Sequence, residues 1–260
     1  MAPNGKEKTE ALTKPATSSI APLEPAPDYF KADDRRGTEN LHQEDMLIPR
    51  LALAQALSPQ VTEGDPRKIE GLKPGDLFNS VTGESYGRDV TVQILRIMPL
   101  RAMEFNSVED GGGVKDPNVP LDDPRTKFGS DGSKPVATTF RDYIALLLPV
   151  NEIIALSFKS SGIKVARTLN GLIGFRNKPV FAGKYRITTG TMQVPKPHWI
   201  YKVANDGWVS KEQADYGEQM YEAAAGLNTE NIQRTVEDTV DEFEVFAAAD
   251  GADRAASPDM

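Results

Sequence analysis

Residues 151–190 read NEIIALSFKSSGIKVARTLNGLIGFRNKPVFAGKYRITTG, and this stretch decides the fold. Ile153, Ile154, Ala155, Leu156 and Phe158 make a short apolar run rich in β-branched residues, which predicts a strand. Ser160-Ser161-Gly162 interrupts it. Ile163, Val165, Ala166, Leu169, Leu172 and Ile173 then recur at helical spacing. Ser161 is placed to cap that helix and Gly174 to end it. Val180-Phe181 and the alternating Tyr185, Ile187 and Thr189 predict another strand. The unit is strand, helix, strand, and it carries Lys159, Lys164, Arg167, Arg176, Lys178, Lys184 and Arg186.

The flanking elements follow from the same periodicities. Upstream, Thr138 to Pro149 has the aromatic and β-branched character of a strand. Arg88 to Phe105 is the longest strand candidate. Its alternation of Val90, Val92, Ile94 and Ile97 fails from Leu95 to Leu100, as at a bulge or a section buried on both faces. Residues 106–137 contain three consecutive glycines, four prolines and five aspartates. They have no hydrophobic period and are expected to form a long loop, a class that is usually functional or disordered. Gly111-Gly112-Gly113 lacks the Lys-Ser/Thr and the strand-to-helix context of a phosphate-binding loop. Downstream, His198 to Val203 predicts a strand, followed by a turn at Asn205-Asp206-Gly207. Lys211 to Leu227 predicts a helix capped by Ser210 and ended by Gly226, with Ala214, Met220, Tyr221 and Ala224 inward. Asn228 onward allows another amphipathic turn or two through Ile232, Val236, Val240 and Phe243. Before residue 88, Ile48, Leu51 and Leu53 predict a short extended piece against the core. Lys73-Pro74-Gly75-Asp76 and Thr82-Gly83-Glu84 are turn signals around a small hairpin.

Composition bounds the function. Of 260 residues, 26% are charged and 39% hydrophobic, which fits a soluble chain with room for a sizeable core. No apolar run approaches the roughly 20 residues that cross a bilayer, and the N-terminal residues lack the apolar region of a signal peptide. There is no cysteine, hence no disulfide and no thiolate chemistry, as expected of a reducing cytoplasm. The net charge of −8 hides a strong asymmetry. Residues 85–210 carry 17 basic and 11 acidic side chains, whereas residues 211–260 carry 3 and 13. A basic centre with an acidic tail is more informative than the sum. Residues 1–45, rich in Pro, Ala, Lys, Glu, Ser and Thr, predict a disordered arm. The expected organisation is therefore this arm, a nucleic-acid-binding domain over 46–210, a helix over 211–227 and an acidic flexible tail over 228–260.

From Arg88 the predicted order is three strands, a helix and two strands. The expected fold class is thus β-rich α+β: a five-stranded OB-fold-like barrel with a helix between strands three and four, plus a C-terminal helix and disordered termini. The exposed face and loops of such barrels bind single strands. Binding without sequence readout needs cations for the phosphates and aromatic faces for the bases. Arg141, Lys159, Lys164, Arg167, Lys184, Arg186 and Lys202 are the candidate backbone contacts. Tyr143, Tyr185, Trp199 and Tyr201 are the candidate stacking residues. Strand aromatics ordinarily fill a core, and surface lysines ordinarily only solvate; here the basic excess coincides with the aromatic strands.

The element order from Arg88 to Val203, with the acidic run DTVDEFEVF at 238–246, resembles the single-stranded DNA-binding proteins of tailed phages. The resemblance implies an OB-fold, a role in phage DNA replication and recombination in the host cytoplasm, and an acidic C-terminal tail. Asp238, Asp241, Glu242, Phe243, Glu244 and Phe246 are the candidate tail residues. Their carboxylates can occupy a basic groove until DNA displaces them, leaving Phe243 and Phe246 to recruit a replication protein. Homo-oligomers are compatible with this reading; a membrane partner is not expected.

An enzyme is not expected. His42 lies in the arm and His198 beside Trp199, too few for a histidine metal cluster, and a catalytic triad would hang on one residue. His198 is expected at the surface or in the groove. Asp116, Asp122, Asp123 and Asp131 lack calcium-loop spacing, and no cofactor is expected. The alternative is a phage virion or assembly protein with a small β domain and flexible arms.

Overall fold

The computed structural model describes residues 36–42, 45–107, 113–193 and 197–232. It is β-rich with two α-helices and open antiparallel sheets. The small sheet holds β1 (Leu51–Leu53), β2 (Leu77–Asn79) and β3 (Ser85–Gly87), the last two being the expected hairpin. The large sheet is built on β4 (Asp89–Ile97), β5 (Arg101–Phe105), β6 (Val114–Val119), β7 (Ala137–Leu148), β8 (Glu152–Lys159), β9 (Gly183–Met192) and β10 (His198–Trp208). Helix α1 (Ile163–Gly174) lies between β8 and β9, and α2 (Lys211–Ala223) follows β10.

The twelve residues of β7 organise the large sheet. Its first half pairs with β5 and its second half with β4, both along one edge. Its other edge pairs with β8 in an unbroken register from Phe140↔Lys159 to Leu147↔Glu152. β4 and β5 are therefore one bent course, broken where the alternation failed: the register shifts between Ile94 and Arg96, and the chain turns at 98–100. β9 pairs with β4, and β10 with β9.

Both faces of this central region are buried. Ile94, Tyr143, Ala145, Ile154, Leu156, Phe158, Tyr185 and Ile187 face one core, which Ala166, Leu169 and Ile173 of α1 close. Leu95, Ile144, Leu146 and Ala155 face the other, beneath Ile48, Ala224, Leu227 and Ile232. Consecutive residues such as Ile94 and Leu95 enter different cores, which accounts for the continuous apolar runs. α2 is tied down by an amide pair: the Gln93 side chain donates to the Phe181 carbonyl at 2.7 Å, and the Gln213 side chain donates to Gln93 Oε1 at 2.7 Å.

The expected five-stranded OB-fold-like barrel is not closed. In the strand ladders β8 pairs only with β7, and β10 only with β9. Chain 49–55 occupies the intervening edges instead. The Ala155 N–H donates to the Pro49 carbonyl at 2.8 Å. The Gln55 side chain both accepts from the Trp199 N–H at 2.9 Å and donates to its carbonyl at 2.8 Å. The Tyr201 hydroxyl donates to the Leu51 carbonyl at 3.0 Å.

Smaller corrections have local causes. Ser161 does not cap α1, because residues 160–162 form a 3-10 turn and Gly162 takes the cap position. Gly174 is the last residue of α1, but Phe175 continues in helical geometry and the left-handed residue is Asn177. Val180–Ala182 form a 3-10 turn before β9. β10 runs through the expected turn at 205–207 with a bulge, where Gly207 has φ 95°. The 106–137 stretch contains β6 and a 3-10 turn at Pro124–Thr126. Ser210 caps α2 as expected, accepting from the Gln213 N–H at 3.2 Å. His198 is buried, 5% exposed, rather than at the surface. The arm to residue 35, Gly111-Gly112, and the tail residues Asp238, Asp241, Glu242, Phe243, Glu244 and Phe246 lie outside the described residues.

Leu169 is fully buried between α1 and the sheet. Leu169→Ala is expected to cost about 2–5 kcal/mol, read as a lower urea midpoint with an unchanged slope.

Candidate nucleic-acid interface

Two neighbouring clefts open around the first turn of α1. The larger, about 590 Å³, lies between that turn, the start of β7 and the 126–136 segment. Leu100, Ala137, Ile163 and Ala166 supply apolar lining; Lys134, Arg141 and Arg167 supply charge; among the described residues no carboxylate lines it. Phe128 stands at this cleft with its ring 71% exposed. The smaller, about 200 Å³, lies between β1, the end of β8 and the start of β10, and includes Lys159, Lys164, Trp199 and Tyr201. Ser161 borders both. The chain turns sharply between them, with Ser160 at φ 46°.

The wall bearing Phe128 is positioned by an ion cluster rather than by apolar packing. Glu104 on β5 is nearly buried. It accepts from Lys115 on β6 and from Arg125 Nη1 at 2.7 Å. Arg125 also reaches Asp116 at 3.0 Å and Asp123 at 2.9 Å. Asp123 in turn caps the 3-10 turn by accepting from the Arg125 N–H at 2.8 Å. One guanidinium thus serves three carboxylates and folds residues 116–125 onto the sheet edge. Lys115 and then Arg125 hold the Glu104 carboxyl below the usual range, and Arg125 does the same for Asp123. Behind this wall, Asp142 is fully buried and accepts from Arg101 Nε at 2.6 Å and from the Ser157 hydroxyl.

The structure separates the candidate residues. Arg141 and Arg167 meet in the larger cleft; Arg141 donates to the Met98 carbonyl at 3.0 Å, and among the described residues no carboxylate pairs with Arg167. Lys159, Lys164, Trp199 and Tyr201 meet in the smaller one. The others are elsewhere. Tyr143 is a core residue: its hydroxyl reaches the Ala166 carbonyl at 3.1 Å and Asn170 Oδ1 at 2.8 Å, and burial pushes its phenol up to about 12. Tyr185 is 1% exposed, and its hydroxyl is likewise shifted upward by burial. Neither can offer a ring to a base. Lys184 and Arg186 lie outside both clefts. Lys184 faces Asp206 at 3.8 Å, and Arg186 is paired with Asp89 at 2.8 Å. Arg186 borders a third, acidic cleft of about 560 Å³ with Glu84, Asp89, Glu152 and Asp206. Lys202 is exposed but lines neither basic cleft.

Trp199 and Tyr201 are half-buried and engaged in packing. The Arg88 guanidinium lies 4.4 Å over the Trp199 ring. Gly75, at φ 91°, backs the same indole so closely that a Cβ there would stand 2.7 Å from its ring carbons. Tyr201 meets Phe158 edge-on at 5.4 Å. Among the described residues, the rings that remain open are Phe128 and, at the other end of α1, Phe175 and Trp208. Sequence reading missed Phe128, although it is the only aromatic residue in 106–136.

Residues 17–230 match the family model described as Pam3 phage gp34-like protein. The chain belongs to this phage family. No curated protein and no solved structure matches it. For the described residues of this family member, no helix is long and apolar enough to cross a membrane.

Glu104 and Asp123 have native pKa values below their unfolded ones. Their contribution is therefore present above the ordinary carboxylate range near pH 4 and is lost as pH falls through the lowered native values. Acidification below about pH 4 should release residues 113–127 before the core. Arg125→Ala should cause the same local loss of amide-exchange protection at pH 7, with protection across β7–β8 unchanged.

Proposed function

We propose that the chain is a non-enzymatic single-stranded DNA-binding protein serving phage replication or recombination, and that the strand is held at the two clefts beside the first turn of α1. The observation that carries this reading is the larger cleft: two arginines and a lysine around an apolar floor, an open phenylalanine at the rim, and no carboxylate in the lining. Cations for phosphates with a ring for a base is the chemistry of sequence-tolerant binding. The adjacent Lys159 and Lys164 extend the positive surface past Ser161.

Connectivity supports the reading. β4 pairs with β7 and β9, β7 with β8, and β9 with β10, with α1 between β8 and β9. We read this as an OB-fold left open where its third and fifth strands would join. OB-folds bind through the outer face of strands two and three and through nearby loops. In this chain the face of β7–β8 turned away from α1 is covered by Ile48, Leu227 and Ile232. The strand is therefore assigned to the loop end, where the β5–β7 connection supplies Phe128 and Lys134. The acidic 237–246 segment is read as a competitor for the same cations and, once displaced, as bait for a replication protein. A specific observation favours the alternative of an assembly protein: Leu121 and Val136 on the same connection are 49% and 62% exposed, as a docking surface would be.

Titration of a fluorescent oligothymidylate at several salt concentrations tests the proposal. The double variant Arg141→Ala, Arg167→Ala should bind more weakly and lower the log–log salt slope by about 1.4, at about 0.7 per lost phosphate contact. An unchanged slope and affinity in a folded double variant would refute the assignment. Deleting residues 236–260 should strengthen binding most at low ionic strength, where screening is weakest; equal affinities there would leave the tail as a solubilising segment.

A further inference from the structure

α1 buries Ala166, Leu169 and Ile173 against the sheet. At about 100° per residue, Lys164, Arg167, Thr168, Gly171 and Phe175 fall on the opposite side of the helix. Lys164, Arg167 and Thr168 are exposed, and Phe175 is 94% exposed. Phe175 belongs to this stripe because the helix has not ended at it. Its backbone is at φ −69° and ψ −14°, and its N–H donates to the Gly171 carbonyl at 3.0 Å. The ring edge passes one turn above Gly171, 3.7 Å from where a Cβ would stand, an ordinary contact distance. The phenyl group is almost wholly open to solvent.

Lys164 and Arg167 charge the first half of this stripe, and no acidic residue opposes them along it. No Asp or Glu occurs between Glu152 and Asp206. Beyond Phe175, Arg176 places its guanidinium 4.4 Å over the ring of Trp208, which is itself 57% exposed. The far end of α1 therefore holds the open Phe175, with the Arg176 guanidinium lying over Trp208 and Tyr185 beyond it, and the near end holds the basic clefts.

We propose that a bound single strand leaves the clefts along the outer stripe of α1 and stacks a base on Phe175; this rests on the cleft reading above. Lys164 to Phe175 is a rise of about 16 Å at about 1.5 Å per residue. That length spans a few nucleotides of an extended single strand. The occupant is nucleic acid rather than a protein helix because the rings stand apart, with cations, a threonine and a glycine between. A helix-binding groove needs contiguous apolar anchors.

The test compares fluorescent oligothymidylates of about 4 and about 12 nucleotides, within the range of single-strand site sizes. Phe175 is solvent-exposed, so its variants should keep the wild-type melting transition. Phe175→Ala should weaken binding of the longer oligonucleotide at least about five-fold, the lower bound for one stacked base. It should leave the shorter one unchanged. Phe175→Trp should restore the longer oligonucleotide's affinity, and Phe175→Leu, equally apolar but without a π face, should not. Unchanged affinity of Phe175→Ala for the longer oligonucleotide overturns the track while leaving the clefts standing. So does equal weakening at both lengths, or full rescue by leucine. Failure of the wild-type chain to bind either oligonucleotide overturns the cleft reading and the track together.

Discussion

Burial of β7 on both faces and pairing along both edges is the constraint on which the rest depends. A strand in that position exposes almost no backbone and must send successive side chains into two different cores. Phe140, Tyr143, Ile144, Ala145 and Leu146 are all at or below 2% exposure. Polar residues in such a strand are tolerated only where they are satisfied. Asp142 is, through Arg101 and Ser157. Two-sided burial also fixes where a ligand can bind. With α1 closing one face and the terminal segments the other, large openings are left at the ends of strands. The cleft beside α1 is one such end.

That opening has a shape because electrostatics gives it one. β6 reads Val-Lys-Asp-Pro-Asn-Val and buries little beyond Val119. It is held to β5 by pairing and by the Glu104–Lys115–Arg125 cluster. Exposed ion pairs are individually weak, but Glu104 is nearly buried and shares two cations, a geometry in which loss of one partner is felt by the others. The cleft wall consequently depends on pH, whereas the sheet beneath it rests on apolar area. The Pro117 ring and the charges on β6 also blunt an edge that would otherwise invite strand addition.

Elements with a strong period were legible in the sequence: α1 within a residue at each end, β7, β8, and α2 with its Ser210 cap. Period also held the answer for two residues assigned elsewhere. Tyr185 alternates in phase with Ile187, and Ile187 is buried, so Tyr185 points inward and Lys184 and Arg186 outward. What no periodicity reveals is the neighbour across the sheet. Asp89 on β4 and Asp206 on β10 neutralise those two cations through contacts separated by 97 and 22 positions in the chain. The open edge of the large sheet was hidden for the same reason. Nothing in Met46 to Leu57 announces that Gln55 will satisfy the backbone of Trp199, 144 residues away. Phe128 and Phe175 were overlooked because an isolated aromatic outside a strand has no pattern to mark it as buried or exposed.

The covered face of the sheet bears on how the acidic tail would act. Ile232 bridges in parallel to Ile48 on that face, and Arg50, two residues further on, borders the smaller basic cleft. Glu237 follows Ile232 by five residues, a reach of up to about 17 Å when extended. On the proposed reading, a segment tethered this closely would meet the clefts at an effective concentration of order millimolar. A contact of only millimolar intrinsic affinity would then be about half occupied. Such a contact is within the means of a few carboxylates and two phenylalanines against a surface without carboxylates of its own, and it requires no specific pocket. DNA would displace it by offering more charges at once. Because both interactions are ionic, salt weakens the competitor and the ligand together. The apparent salt dependence of the full chain would then be shallower than that of the clefts alone.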